Sequence, residues 1–378
     1  MEQAGISIPR IERPAESPGQ RVFYLDFIRA IAILFIMTYH FNIFLVNWHA
    51  MPLFWPAFLN HLGTSDLFGD IGVSLFIILS GSSLMLSTRK ELNARNFYRK
   101  RLLSIYPLFW LSYLAVFFAR FFILKTVPQA GLATLPLTLT GFDGFMNYKI
   151  NSFYLIGEWF LGFILIFYLL FPLIRFLFLK NRNIMIGFCI LLTLVLPKFY
   201  KLHMLIGHFP LSRLLEFVMG MWLIDLLMPI KKIRNVLLPA MAAGLLFFIN
   251  ADVAGLFKTA VSGTLVFACL AWISLLIPIS LQKYFNFLGK YSFGAFLIHH
   301  QFFVIALTEI YIAGFLNLHK LPIYVVFTLL LICIYVISFV LTNAVKLILN
   351  GLAAIWEFFI RPGEGKRSLD NTGSASRI

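Results

Sequence analysis

Stretches of about 20 apolar residues recur along nearly the whole chain, and each is long enough to cross the roughly 30 Å hydrocarbon core of a bilayer as a helix. A soluble protein could not keep so many of them off its surface. Polar amphipathic helices, which would have to wrap a large soluble core, are almost missing. Of 378 residues, 60% are hydrophobic and 12% charged, against about 25% charged in ordinary soluble domains. The pattern predicts an all-α polytopic membrane protein with about ten spans, not a soluble enzyme.

Hydropathy places the spans near 25–46, 69–87, 102–124, 156–178, 184–200, 210–227, 235–250, 256–277, 287–312 and 321–349. Charge orients them. Residues 1–24, the loops 88–101, 179–183, 228–234 and 278–286, and the tail from 350 carry nineteen Lys and Arg residues; the intervening loops carry six. Cytoplasmic segments hold the excess of Lys and Arg, so both termini are expected in the cytoplasm. The same alternation, loop by loop, excludes a nucleic-acid partner despite the net charge of +15, because the basic residues form no single patch.

The expected organisation is a polar cytoplasmic segment at 1–20, a transmembrane unit at 21–349 and a cytoplasmic tail at 350–378, disordered after 361. Residues 1–20 hold Pro9, Pro14 and Pro18 among charges and lack the apolar stretch of a signal peptide. The long external loop 125–155, with Pro128, Gly131, Pro136, Gly141 and Gly144, is expected to fold partly back over the membrane. Cys189, Cys269 and Cys333 lie in apolar runs without CxxC spacing and read as small buried hydrophobes.

Charges in hydrocarbon cost several kcal/mol, so each needs a reason. The first span reads LDFIRAIAILFIMTYH, Leu25 to His40. Arg29 and His40 are eleven residues apart, which puts them on one helical face, separated along it by roughly 16 Å. Asp26 lies one turn before Arg29 and can pair with it. Arg29 as a snorkelling residue and His40 as an interhelical hydrogen bond are the plain readings. The chemical one is that an imidazole is the side chain best suited to exchange a proton near neutral pH.

Span two opens FGDIGVSLFIILSGSSL, with glycines for close helix contact and Asp70 on the same membrane side as His40. Asp70 either orients the imidazole or caps the helix start. Arg89, Lys90, Arg95, Arg99, Lys100 and Arg101 cluster before span three, as a positive-inside loop or as a phosphate-binding patch. Arg120, Glu158, Arg213 and Glu216 sit near external helix ends, and the one-turn spacing of Arg213 and Glu216 predicts a pair. Span nine carries GKYSFGAFLIHH, Gly289 to His300; His299 and His300 point about 100° apart, so at most one is expected to face His40. No set of histidines and carboxylates has zinc-ligand spacing along the chain, and no metal site is expected.

Taken in order, the Arg-ten residues-His arrangement of Arg29 and His40, the FGDIGVSLFIILSG start of span two, the FYRKRLLSIYP junction, WFLGFILIFYLLFPLI and YSFGAFLIH resemble the acyltransferase-3 family of multi-pass membrane O-acyltransferases. The resemblance covers about residues 20–345. It implies ten spans and movement of an acyl group, usually acetyl from acetyl-CoA, onto a sugar hydroxyl of a surface or exported glycan. By position, His40 looks like the catalytic histidine and Arg29 its cytoplasmic-side partner. Lys100 and Arg101 look like part of the basic junction that meets the CoA phosphates. The chain departs from the family pattern in three places: Ser80-Gly81-Ser82 stands for SGF, Ser104 for an Arg, and Ile164 for the Glu of WSL-x-x-E after Trp159-Phe160-Leu161. The last substitution removes an expected charge partner. No soluble esterase-like domain accompanies the membrane part, which would then do the whole transfer.

The mechanism expected from this reading keeps the nucleotide end of acyl-CoA near Arg99, Lys100 and Arg101. The pantetheine arm enters between helices, and His40 acts as general base on the acceptor hydroxyl. The alternative is a transporter or flippase for a glycan or lipid-linked precursor, which predicts related halves; no internal repeat is evident.

Overall fold

The computed structural model describes residues 22–49, 67–227, 244, 255–307 and 322–360, and the regular structure among them is entirely helical. In chain order the helices are α1 Phe23–His49, α2 Leu67–Ser87, α3 Ala94–Ala119, α4 Leu135–Thr140, α5 Asp143–Met146, α6 Glu158–Lys180, α7 Arg182–Phe199, α8 Leu214–Leu227, α9 Gly255–Ile273, α10 Ile279–Ile305 and α11 Ile323–Ile360. The expected seventh span at 235–250 (Gly244 apart), the segment 1–20 and the tail beyond 360 lie outside the described residues. The tail expected from 350 opens as helix, since α11 runs on to Ile360.

Among the described residues, seven segments are long and apolar enough to cross a membrane: α1, α2, α3 with its π-helical extension Arg120–Leu124, α6, α7, α9 continued to Leu276, and α11. Leu114 and Phe118 on α3, Phe188 and Leu191 on α7, and Ile332 and Val336 on α11 lie exposed, an arrangement that lipid tolerates and water does not. The protein is a multi-pass membrane protein. Two of the expected ten spans differ from the hydropathy pattern for identifiable reasons. α8 starts at Leu214 and not at 210, because Pro210–Arg213 before it forms a tighter 3-10 turn, and the described residues carry it to Leu227. α10 spans 27 residues but carries Gln282, Lys283, Lys290, His299, His300 and Gln301. From Gly289 onward its apolar side chains and His299 are largely enclosed by protein, where polarity can be met by partners that lipid cannot provide.

α3 also starts earlier than hydropathy suggests. Asn93 caps it, its side chain accepting from the Asn96 amide at 3.0 Å, so Arg95, Arg99, Lys100 and Arg101 ride on the first turns of a helix and not in a loop. The loop 125–155, expected to be external, returns along α3. Tyr106, Trp110 and Tyr113, one helical face, donate to the carbonyls of Thr140, Leu139 and Phe153 at 3.0, 3.1 and 2.6 Å. This lays α4 and α5 against α3 and against the start of α6.

Small residues set the tightest crossing. α2 and α8 meet at Gly81 and Gly220, where an added Cβ would overlap the carbonyls of Phe217 and Ile78, and Ser82 donates across the seam to Gly220 at 2.7 Å. Contacts give helix directions as well. Arg29 early in α1 meets Ser83 late in α2; Tyr98 early in α3 donates to the Leu169 carbonyl midway along α6, while Phe109 further along α3 and Leu161 at the start of α6 both face Gly141, so each pair is antiparallel. α10 runs parallel to α1, with Gly289 against Asp26 and His299 against His40.

Candidate active site

His40, late in α1, and His299, late in α10, touch through Nδ1 and Nε2 at 2.9 Å. The other nitrogen of His299, Nδ1, lies 2.7 Å from the carbonyl of Phe296 one turn earlier. A carbonyl can only accept, so His299 carries its proton on Nδ1 and presents a lone pair at Nε2. His40 must then donate from Nδ1, which leaves Nε2 of a neutral His40 as the basic nitrogen. The direction of the whole chain follows from one backbone carbonyl. His299 is fully buried, so water does not compete for its bond to the Phe296 carbonyl.

His300 joins the same cluster. Its ring stands edge-on to His40 at 5.5 Å and 89°, and to Phe44 at 4.9 Å. The expectation that only one α10 histidine reaches His40 is therefore corrected: α10 crosses α1 so directly that its two rings, about 100° apart, straddle the opposing imidazole.

The carboxylate of the cluster is Glu158, the first residue of α6. One oxygen lies 3.4 Å from His300 Nδ1, and Glu158, His40 and His299 bring their donor atoms within 4.8 Å of one another. Local backbone puts it there. Gly157 at φ +91° is followed by Glu158 at φ +46°, a left-handed conformation that costs a non-glycine residue on the order of 1–2 kcal/mol. Gly144 of α5 permits it, since a side chain there would collide with the Glu158 carbonyl. The Tyr154 phenol faces Glu158; burial first, then this carboxylate, holds it well above its ordinary pKa, so it stays protonated. Sequence reasoning placed Glu158 only at an external helix end and looked for the partner carboxylate at Ile164, which is buried apolar surface. The one available signal was the Gly-Glu-Trp start of the span.

On the other side of this cluster, towards the start of α1, lies a cavity of about 270 Å³ lined by Arg29, Arg101, Ser83, Ser104, Phe160 and Phe296, among others. Arg29 pairs with the buried Asp26 at 2.5 Å and reaches Ser83 at 3.5 Å. The Arg101 guanidinium lies over the rings of Phe97 and Tyr168, with its buried Nε lacking a hydrogen-bond partner among the described residues. Arg99 and Lys100 are exposed on the same turns of α3. Phe296 joins the two regions: its ring lines the cavity against Phe160 at 5.8 Å, and its carbonyl holds His299.

Asp70 is more than half exposed, with its carboxylate 4.0 Å from Arg213 Nη1; the Nδ1 of His40 is taken by His299. Arg213 and Glu216 form the pair their spacing predicts, at 2.5 Å, both buried and joined through Ser74. Arg120 bonds Gln301 beside the histidines at 2.8 Å. His208 stacks on Trp159 at 3.8 Å; burial and the nearby Arg213 cation lower its pKa to about 4.

The acyltransferase domain family matches residues 22–345. Compared with curated proteins and with solved structures, the chain matches none.

Proposed function

The chain belongs to the acyltransferase-3 family, and on that premise we propose that it moves a short acyl group, acetyl from cytoplasmic acetyl-CoA, onto a hydroxyl of a cell-surface or exported glycan. The observation that carries the reading is the one-way hydrogen-bond chain from His40 through His299 to the Phe296 carbonyl. It supports His40 Nε2 as a general base with a defined tautomer.

In this mechanism Nε2 takes the proton of the acceptor hydroxyl as its oxygen attacks the thioester carbonyl. The carbon–sulfur bond breaks, and Nε2 returns the proton to the departing thiolate, leaving an O-acyl ester and a free thiol. The His40 imidazolium formed between these steps is stabilised by the bond from Nδ1–H to His299 and by the nearby Glu158 carboxylate. On the cytoplasmic side, Arg29 and Arg101 share a cavity whose unpaired guanidinium nitrogen suits a phosphate, with Arg99 and Lys100 at its outer edge. Asp70 would act further out, through Arg213.

The topology proposed is ten spans with both termini cytoplasmic, in the plasma membrane, with the membrane unit at 21–349. The antiparallel pairs α1–α2 and α3–α6 support it. The test is acyl transfer to the surface glycan by purified protein. His40→Ala should lower turnover about 10²–10⁴-fold. Unchanged turnover would remove His40 from the chemistry.

A further inference from the structure

His40, Glu158 and His299 come from three helices and offer two imidazole nitrogens and a carboxylate within 4.8 Å of one another. From this arrangement we propose that the cluster binds a divalent transition-metal ion, zinc by preference, and that the bound ion switches acyl transfer off. The inhibitory half rests on His40 as the general base; the binding site itself does not.

The donor chemistry selects the ion. Two imidazoles and a carboxylate match the ligand set of open zinc sites. Calcium and magnesium need six or more oxygens, and soft ions need thiolates. The geometry is near what such an ion needs. Nitrogens 2.9 Å apart subtend roughly 90° at an ion held about 2.05 Å from each, so a tetrahedral angle asks the rings to part by only about 0.5 Å. His299 is already arranged as a metal-binding histidine is: Nε2 is unprotonated and aimed into the cluster, while Nδ1–H donates to a backbone carbonyl, the support that orients such rings. Glu158 is placed by its own left-handed backbone, packed against Gly144.

A second observation points the same way. His300 Nδ1 is buried, lies 3.4 Å from a Glu158 oxygen, and has no hydrogen-bond partner among the described residues. It is a further imidazole nitrogen beside the Glu158 carboxylate. The side chains of Glu158 and His300 are 16% and 28% exposed, which leaves an ion a way in.

The consequence for catalysis follows from proton placement. An ion on His40 Nδ1 takes that nitrogen's lone pair, so the ring's single proton sits on Nε2. The hydrogen bond to His299 is replaced by two nitrogen–metal bonds, no proton is lost from the His40 ring, and the nitrogen assigned as base has nothing left to accept with.

The experiment uses full-length, tag-free protein in detergent, stripped with a chelator and titrated with Co²⁺ as an absorbing stand-in for zinc. The expected result is one ion per chain, with visible ligand-field bands that Zn²⁺ abolishes. Glu158→Gln and His299→Ala should each weaken binding at least about 10-fold. Zn²⁺ should stop wild-type transfer, and EDTA should restore it. Glu158→Gln is nearly isosteric and decides the matter if His299→Ala does not fold. No saturable binding below about 1 mM, or binding unchanged in Glu158→Gln, overturns the site. Zn²⁺ that raises turnover overturns the inhibitory role. Because Co²⁺ binding is read without donor or acceptor, a wrong assignment of the reaction leaves the metal result intact.

Discussion

Replacing His299 tests the hydrogen-bond chain more sharply than replacing His40, because His299 has no direct part in the proton transfer assigned to Nε2. In His299→Ala, His40 Nδ1 loses its acceptor 2.9 Å away. That bond is neutral in the resting ring and charge-assisted once His40 is protonated, so it is stronger at the transition state than before it. Hydrogen bonds to charged groups contribute about 1.5–3 kcal/mol, which converts to roughly a 10- to 150-fold loss of kcat. The free His40 ring can also take the tautomer with its proton on Nε2, which adds to the loss. KM for the acyl donor should change little, since His299 does not line the Arg29–Arg101 cavity. His299→Gln restores a side-chain oxygen acceptor at similar volume and should recover part of the rate. The assay is steady-state transfer by purified variants, with thermal unfolding in detergent as a fold control, because His299 is fully buried and its truncation leaves a cavity. A folded His299→Ala protein within twofold of wild-type kcat would refute the reasoning.

Three further outcomes follow from other parts of the molecule. Arg101→Ala should raise KM for the acyl donor about 10-fold or more with a smaller change in kcat, whereas exposed Arg99→Ala should shift it by under about 1 kcal/mol; equal effects, read by donor titration, would argue against the cavity as donor site. Gly220→Ala drives a Cβ into the Ile78 carbonyl, so it should destabilise the bundle by at least about 1–3 kcal/mol, seen as a lower melting temperature and lower yield of folded protein. His208 sits at about 4 in the fold against an ordinary 6.5, so the unfolded chain takes up its proton first. The stability it contributes is present above pH 6.5 and is lost as pH falls towards 4, by at most about 3 kcal/mol and less for its partial exposure. His208→Asn should flatten that part of the melting temperature–pH curve.

Hydropathy is summed residue by residue, so what depends on it could be read along the chain. Membrane embedding, the positions of α1, α2, α6, α7 and α9 to within a few residues, and the basic side all follow from local composition. Pairs one turn apart, Asp26–Arg29 and Arg213–Glu216, were legible for the same reason: helix geometry alone brings them together. The site was legible only in part. Arg29 and His40 share a helix, but nothing local says which face of it meets protein, because lipid and protein interior are equally apolar and leave little periodic signal. The helix crossing decides that, and it sets His299 against His40 across 259 positions of chain. Crossing geometry likewise brings both α10 histidines to one imidazole. The left-handed turn at Gly157–Glu158, possible only where Gly144 lets the α6 backbone approach, supplies a carboxylate from a position that no helical spacing singles out. Such convergence is a property of packed surfaces far apart in sequence, and only the tertiary structure contains it.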